Sequence, residues 1–172
     1  MKKLIILSLL IFGTAFVSYS QKYGYIDSEY ILENMPEYVS AQEELDKFAR
    51  RWEAEISELY KQIKKRKDEF LRVEAILPEE ERLRRSEEIK TMESEALETQ
   101  QMRFGVTGDL FQKRRELIEP IQDKVFDALG KVASNRNFAF VFDKANQTNL
   151  IFADPKYDIS KMVLKELKIN VP

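Results

Sequence analysis

Between Val39 and Leu129 the chain carries one long, charged helical pattern that runs out, turns at Leu77-Pro78-Glu79 and comes back. On the outgoing side Leu45, Phe48, Trp52, Ile56, Leu59, Ile63, Phe70, Val73 and Leu77 fall mostly three or four residues apart, with one gap of seven centred on Arg66. That spacing is one face of an α-helix, not the alternation of a strand. On the return side Ile89, Met92, Ala96, Val106, Leu110, Leu117, Ile121, Val125 and Leu129 mostly keep the rhythm, with Thr99, Arg103 and Arg114 in polar gaps. Two such arms joined by a tight turn predict an antiparallel coiled coil. The outgoing helix, about 40 residues or about 60 Å at 1.5 Å per residue, is longer than a compact domain of this size is wide, so it must project into solvent.

Composition narrows the chemistry. Among 172 residues there is no Cys and no His, which excludes disulfides, thiol nucleophiles, histidine bases and the usual zinc sites. Met1-Lys2-Lys3, the apolar run Leu4 to Val17 and Ser18-Tyr19-Ser20-Gln21 read as a secretory signal peptide over residues 1–20. The run is short of the roughly 20 residues that a membrane span needs. With no Cys there is nothing to acylate, so no lipoprotein anchor is expected. Loss of Lys2 and Lys3 takes the net charge from -2 to about -4, a balance that implies no nucleic acid.

Outside the arm, Lys22-Tyr23-Gly24-Tyr25-Ile26-Asp27 reads as a strand, followed by a short helix capped by Asp27 or Ser28 and ended by Pro36. Ser134-Asn135-Arg136-Asn137 stops the return helix. Phe138-Ala139-Phe140-Val141-Phe142 then reads as a buried strand, residues 144–149 as a turn and Leu150-Ile151-Phe152-Ala153 as a third strand. Asp158 caps a last helix. The expected fold is α+β, mostly α: a small β body (β-α-hairpin-ββα) of residues 21–37 and 118–172, with a long antiparallel helical hairpin over 38–117 and its tip near 77–81.

A body of roughly 70 residues seldom stays folded without staples. Disulfides and metals being excluded, oligomerisation through Tyr25, Ile26, Phe138, Phe140, Phe142, Ile151 and Phe152 is the remaining option. Gly105, Gly108 and Pro120 are candidate hinges, because glycine and proline weaken a helix interior; an equal alternative is that they only allow close packing and steer the chain into the body. Arg84 and Arg85 stand among the basic residues of the outer arm, a candidate anion contact. Interleaved Lys, Arg and Glu at helical spacing are more often a solvated face. Tyr60, Met102 and Phe104 lie off the seam and are candidates for contact with a bound chain, whereas Trp52, Phe70 and Met92 keep the seam rhythm and read as coiled-coil core.

The order of these elements resembles the Skp/OmpH family of periplasmic chaperones. The likeness is carried by Gly24-Tyr25-Ile26-Asp27-Ser28-Glu29-Tyr30-Ile31-Leu32, the charged hairpin, Ile121-Gln122-Asp123-Lys124-Val125, Phe140-Val141-Phe142-Asp143 and Asp158-Ile159-Ser160. It implies a homotrimer whose helical tentacles surround a cavity, holding unfolded outer-membrane β-barrel proteins in the periplasm without ATP and passing them towards the outer-membrane assembly machinery. No cofactor is implied, and peripheral membrane contact is left open. Known members are often strongly basic; this chain, with a pI near 5.5, departs from that, so charge steering is expected only on the outer arm. The rival expectation is a structural or adaptor coiled coil that docks one folded envelope partner through its arm tips. An enzyme is the weakest reading, since nothing in the sequence gathers two carboxylates in a pocket.

Overall fold

The computed structural model describes residues 21–145 and 150–171; the expected signal peptide lies outside them. Strand β1 (Lys22–Ile26) leads into helix α1 (Ser28–Glu33), whose N-cap is Asp27, its carboxylate accepting from the Tyr30 amide at 3.0 Å. Pro36 opens the long helix α2 (Pro36–Val73). It forces Met35 into extended backbone (φ -92°, ψ 115°), separating the two helices without a loop. The same device recurs at the tip. After a 3-10 turn at Glu74–Ile76, Leu77 is extended ahead of Pro78, and Glu79, Glu80 and Glu81 occupy the first turn of α3 (Glu79–Phe104), where the helix dipole favours carboxylates.

The return arm is two helices. α3 stops at Phe104 and α4 (Asp109–Arg136) starts after the four intervening residues Gly105-Val106-Thr107-Gly108. Val106, expected in the seam, is 92% exposed instead; once the backbone leaves the helix, heptad spacing no longer aims its side chain at α2. At Pro120, by contrast, α4 is helical throughout. Asn137 ends it in the left-handed region (φ 56°), which Asn tolerates better than most residues.

Strand β2 (Phe138–Asp143) pairs in parallel with β1, matching Tyr23 with Phe140, Tyr25 with Phe142 and Ile26 with Asp143. The other edge of β1 is bridged by the chain at Asp158, with the Ile159 amide donating to the Tyr25 carbonyl at 2.9 Å. Asp158 accepts from the Ser160 amide at the start of α5 (Ser160–Glu166). The sheet has two strands among the described residues, and the expected third strand is absent: Leu150–Ala153 is irregular. Ile151 is 99% and Phe152 81% exposed. An apolar run becomes a strand only where it meets a sheet edge in register, and this segment pairs with neither β1 nor β2.

The core sits where α1, α5 and the roots of α2 and α4 meet under the sheet. Ile31, Val163 and Leu164 have no exposed surface. Ala41 and Leu45 of α2 belong to the same cluster as Ile118 and Ile121 of α4, so the arm leaves the body only beyond Leu45.

Candidate functional site

Both the arm and the body carry exposed apolar surface, and the arm's is the more dispersed. Along its seam Trp52, Ile56 and Ile63 of α2 and Ile89 and Ala96 of α3 are buried, while Phe70 and Met92 are half-buried. The seam residues beyond Ile63 have only one neighbouring helix to cover them. Off the seam, Tyr60 is exposed, its hydroxyl donating to Gln100 Oε1 at 3.1 Å across the hairpin. With Ile56, Ser57, Gln100 and Phe104 it lines a shallow groove of about 380 Å³. Met102 is exposed nearby, as are Leu97 and Phe111. Phe104 is half-buried and stands edge-on to Trp52, ring centroids 6.4 Å apart. It therefore shares its surface between the groove and the arm's own packing.

The break in the return arm centres on Arg103, which spacing alone reads as a gap filler. Its guanidinium donates to the Asp109 carboxylate across the break, lies 3.5 Å from Glu55 of α2 and sits over the Trp52 ring, 5.2 Å from the centroid. The hydrogen bond to Asp109, and then the charge of Glu55, hold this arginine above its ordinary pKa against some desolvation. Gly105 and Gly108 stand where the bend in the return arm leaves no room for a side chain. A Cβ on Gly105 would lie 2.4 Å from the Gln101 carbonyl oxygen, and one on Gly108 2.6 Å from that of Met102. No adjacent pair of residues in the sequence signals this cluster; the nearest clue is Arg103 placed one residue before Phe104 and two before Gly105.

Near the tip, Arg84 donates to both oxygens of Glu81, at 3.2 and 2.8 Å, and Arg85 lies 3.8 Å from the same carboxylate. Arg84 is raised above its ordinary pKa by that bond, and Glu81 is held below the usual carboxylate range. Both arginines line a polar pocket of about 320 Å³ with Arg66, Phe70 and Glu88. An incoming anion there competes with a carboxylate already in place.

On the body, Tyr25 and Ile26 are buried within the chain's own fold, whereas Phe140, Phe142, Ile151 and Phe152 are exposed and Phe138 is half-buried. Phe126, which falls between the seam positions Val125 and Leu129 and is not singled out by spacing, is 66% exposed. It borders a groove of about 270 Å³ floored by Leu32, Leu129 and Val141. Among the described residues no group of three His, Cys, Asp or Glu could hold a metal, and no helix is long and apolar enough to cross a membrane. The arrangement supports adhesion to apolar chain segments, with dispersed spots set among charges.

No curated protein matches the sequence significantly. Among solved structures, one assigned as an outer membrane chaperone (OmpH-like) from Caulobacter crescentus CB15 shares the fold, with a TM-score of 0.68 at 9% identity over 88% of this chain and 86% of that one. The family model for outer membrane protein (OmpH-like) matches residues 22–167, from the first residue of β1 to just past the end of α5. With strand, arm, second strand and closing helix all inside that match, the chain belongs to the OmpH-like family.

Proposed function

We propose that this protein is an ATP-independent periplasmic holdase, exported by a cleaved signal peptide, that keeps unfolded outer-membrane β-barrel proteins from aggregating in a space enclosed by the arms of a homotrimer. Membership of the OmpH-like family supports a chaperone role in general. The observation that carries the finer reading is the scatter of exposed apolar side chains along one stretch of arm: Tyr60, Leu97, Met102, Val106 and Phe111. A binder of many unfolded clients needs contacts that are numerous, weak and adaptable, because a single well-fitted pocket would select one sequence and release it slowly. Flexible or aromatic groups spaced among charges provide that. The exposed Phe140, Phe142, Ile151 and Phe152 on the body support self-association, which would bring several arms around a common space. Handing clients on to the outer-membrane assembly machinery belongs to the same reading.

The test is direct. Mature protein, mixed at equimolar trimer with β-barrel proteins diluted from urea, should suppress light scattering, and its mass in solution should be that of a trimer. Undiminished aggregation opposes the reading. A second reading rests on the tip, where Leu71, Ile76 and Leu83 are exposed together with the arginines: an adaptor that docks one folded envelope partner. A narrow pull-down, lost when the tip is altered and without affinity for unfolded chains, would favour it.

A further inference from the structure

We propose that Arg103 is an ionic latch across the joint between α3 and α4, and that the return arm turns on its glycines only when this one side chain lets go. Three helices meet at its guanidinium. Asp109 is the first residue of α4, Arg103 itself lies in the last turn of α3, and Glu55 and Trp52 belong to α2. The side chain is 25% exposed, against 40% to 73% for the arginine and lysine pairs with Glu79, Glu81 and Glu87, which stay within α3. Those pairs cannot hold a joint between helices; this one spans it.

The backbone contributes little there. Gly105 N donates to Gln101 O at the end of α3, Gln112 N to Gly108 O at the start of α4, and Gly108 N to Gly105 O within the joint at 2.9 Å. The joint's conformation leaves no room for a Cβ at either glycine, so it is a built bend and not a frayed helix. Side-chain bonds must set its angle. Arg103 does so in two directions at once: along the return arm to Asp109, and sideways to Glu55 while lying over the Trp52 ring. Its planar fork suits that double task better than a lysine ammonium would. Opening then means α3 turning at Gly105–Gly108 and lifting from α2, against the sparse outer seam, the exposed pairs Arg66–Glu88 and Lys67–Glu93, and the Tyr60–Gln100 hydrogen bond. Since these charges are partly in water, the latch weakens as salt rises.

The inference goes beyond the proposed function and is tested on the protein alone, so a failed holdase assay leaves it standing and the reverse. Trp52 is the single tryptophan of the chain, and its emission reports on the joint. In Arg103→Met, which keeps the apolar stem and removes the charge, amide exchange over residues 103–112 should quicken about tenfold. Trp52 emission should shift to the red, with exchange in the body unchanged. Glu55→Gln combined with Asp109→Asn should do the same, and serves if the first variant folds poorly. Raising salt to roughly 1 M, where the Debye length is about 3 Å, should loosen the unmodified joint but not that of Arg103→Met. Arg84→Met, which breaks a comparable pair within one helix, should leave the joint alone. Exchange and emission within about twofold of the unmodified protein in both charge variants, or salt sensitivity that survives Arg103→Met, would overturn the latch.

Discussion

The body and the outer arm draw on the same kinds of apolar residue and use them to opposite ends. In the body Ile31, Val163 and Leu164 are covered on every side, because α1, α5, the sheet and the roots of α2 and α4 converge on them. In the outer arm Ile63 and Ile89 are buried in a two-helix ribbon with no third layer. The same side chain that has neighbours all round in one place has a single facing helix in the other. Stability should therefore fall along the arm towards the tip, from global unfolding in the body to local opening outside it. Yet the better-packed region is also the unfinished one, since it leaves four large apolar side chains, Phe140, Phe142, Ile151 and Phe152, in water.

The sharpest way to break this contrast is to empty one site in each region. Leu164→Ala should cost about 3–5 kcal/mol, the range for a fully buried aliphatic, and show as loss of cooperative unfolding or a large drop in the denaturation midpoint. Ile63→Ala should cost less, about 1–2 kcal/mol, because a ribbon can close over the gap, and should quicken amide exchange only in the arm. Equal losses from the two would mean that body and arm unfold as one unit. Between these and the smallest effect lies the double change Gly105→Ala, Gly108→Ala. A Cβ at either position meets backbone oxygen, so the bend must move, and the helix propensity gained, about 1 kcal/mol for each alanine, favours a straighter return arm. Increased helical circular dichroism with slower exchange at 105–108 is expected; if the glycines are true hinges, the range of client sizes held should narrow as well.

The smallest effect comes from acid. Glu81, hydrogen-bonded by Arg84, and Asp68, hydrogen-bonded by Lys64, are both held below the usual carboxylate range. For a depressed carboxylate the stabilisation is present above its unfolded pKa and lost as pH falls through the folded one. Lowering pH below about 4 should thus fray the outer arm around Asp68 and Glu81 before it touches the body, as read by residue-resolved carbon chemical shifts. Fraying that starts in the body would reverse the order argued above.

Much of this architecture is legible in the chain itself. Leu45, Trp52, Ile56 and Ile63 announce a helix face by spacing, and Pro36 and Pro78 mark where helices begin because proline dictates the backbone before it. What spacing cannot supply is the partner. Phe138 to Phe142 and Leu150 to Ala153 look alike as apolar runs; only the first finds β1, and it does so in parallel across the whole arm. Tyr25 and Phe142 are paired in register, yet one is buried and the other is not, which no run of β-formers reveals. Of the candidates for chain contact, Tyr60 and Met102 prove exposed, while Phe104 is partly claimed by Trp52. Arg103 was readable as an interruption and nothing more, because Glu55 lies on another helix and Asp109 beyond a break.

The pairing of β1 with β2 carries a consequence for how such a molecule comes into being. The strand nearest the start of the body is completed only by one that follows the entire hairpin, and the isolated bridge from Tyr25 to Asp158 waits later still. A chain emerging amino end first can zip its limb together early, from contacts that are close near the bend, but must hold Lys22–Ile26 unmatched until almost everything else has arrived. By contact order the limb can thus close before its base, and tying together the two ends is the step that spans the most chain.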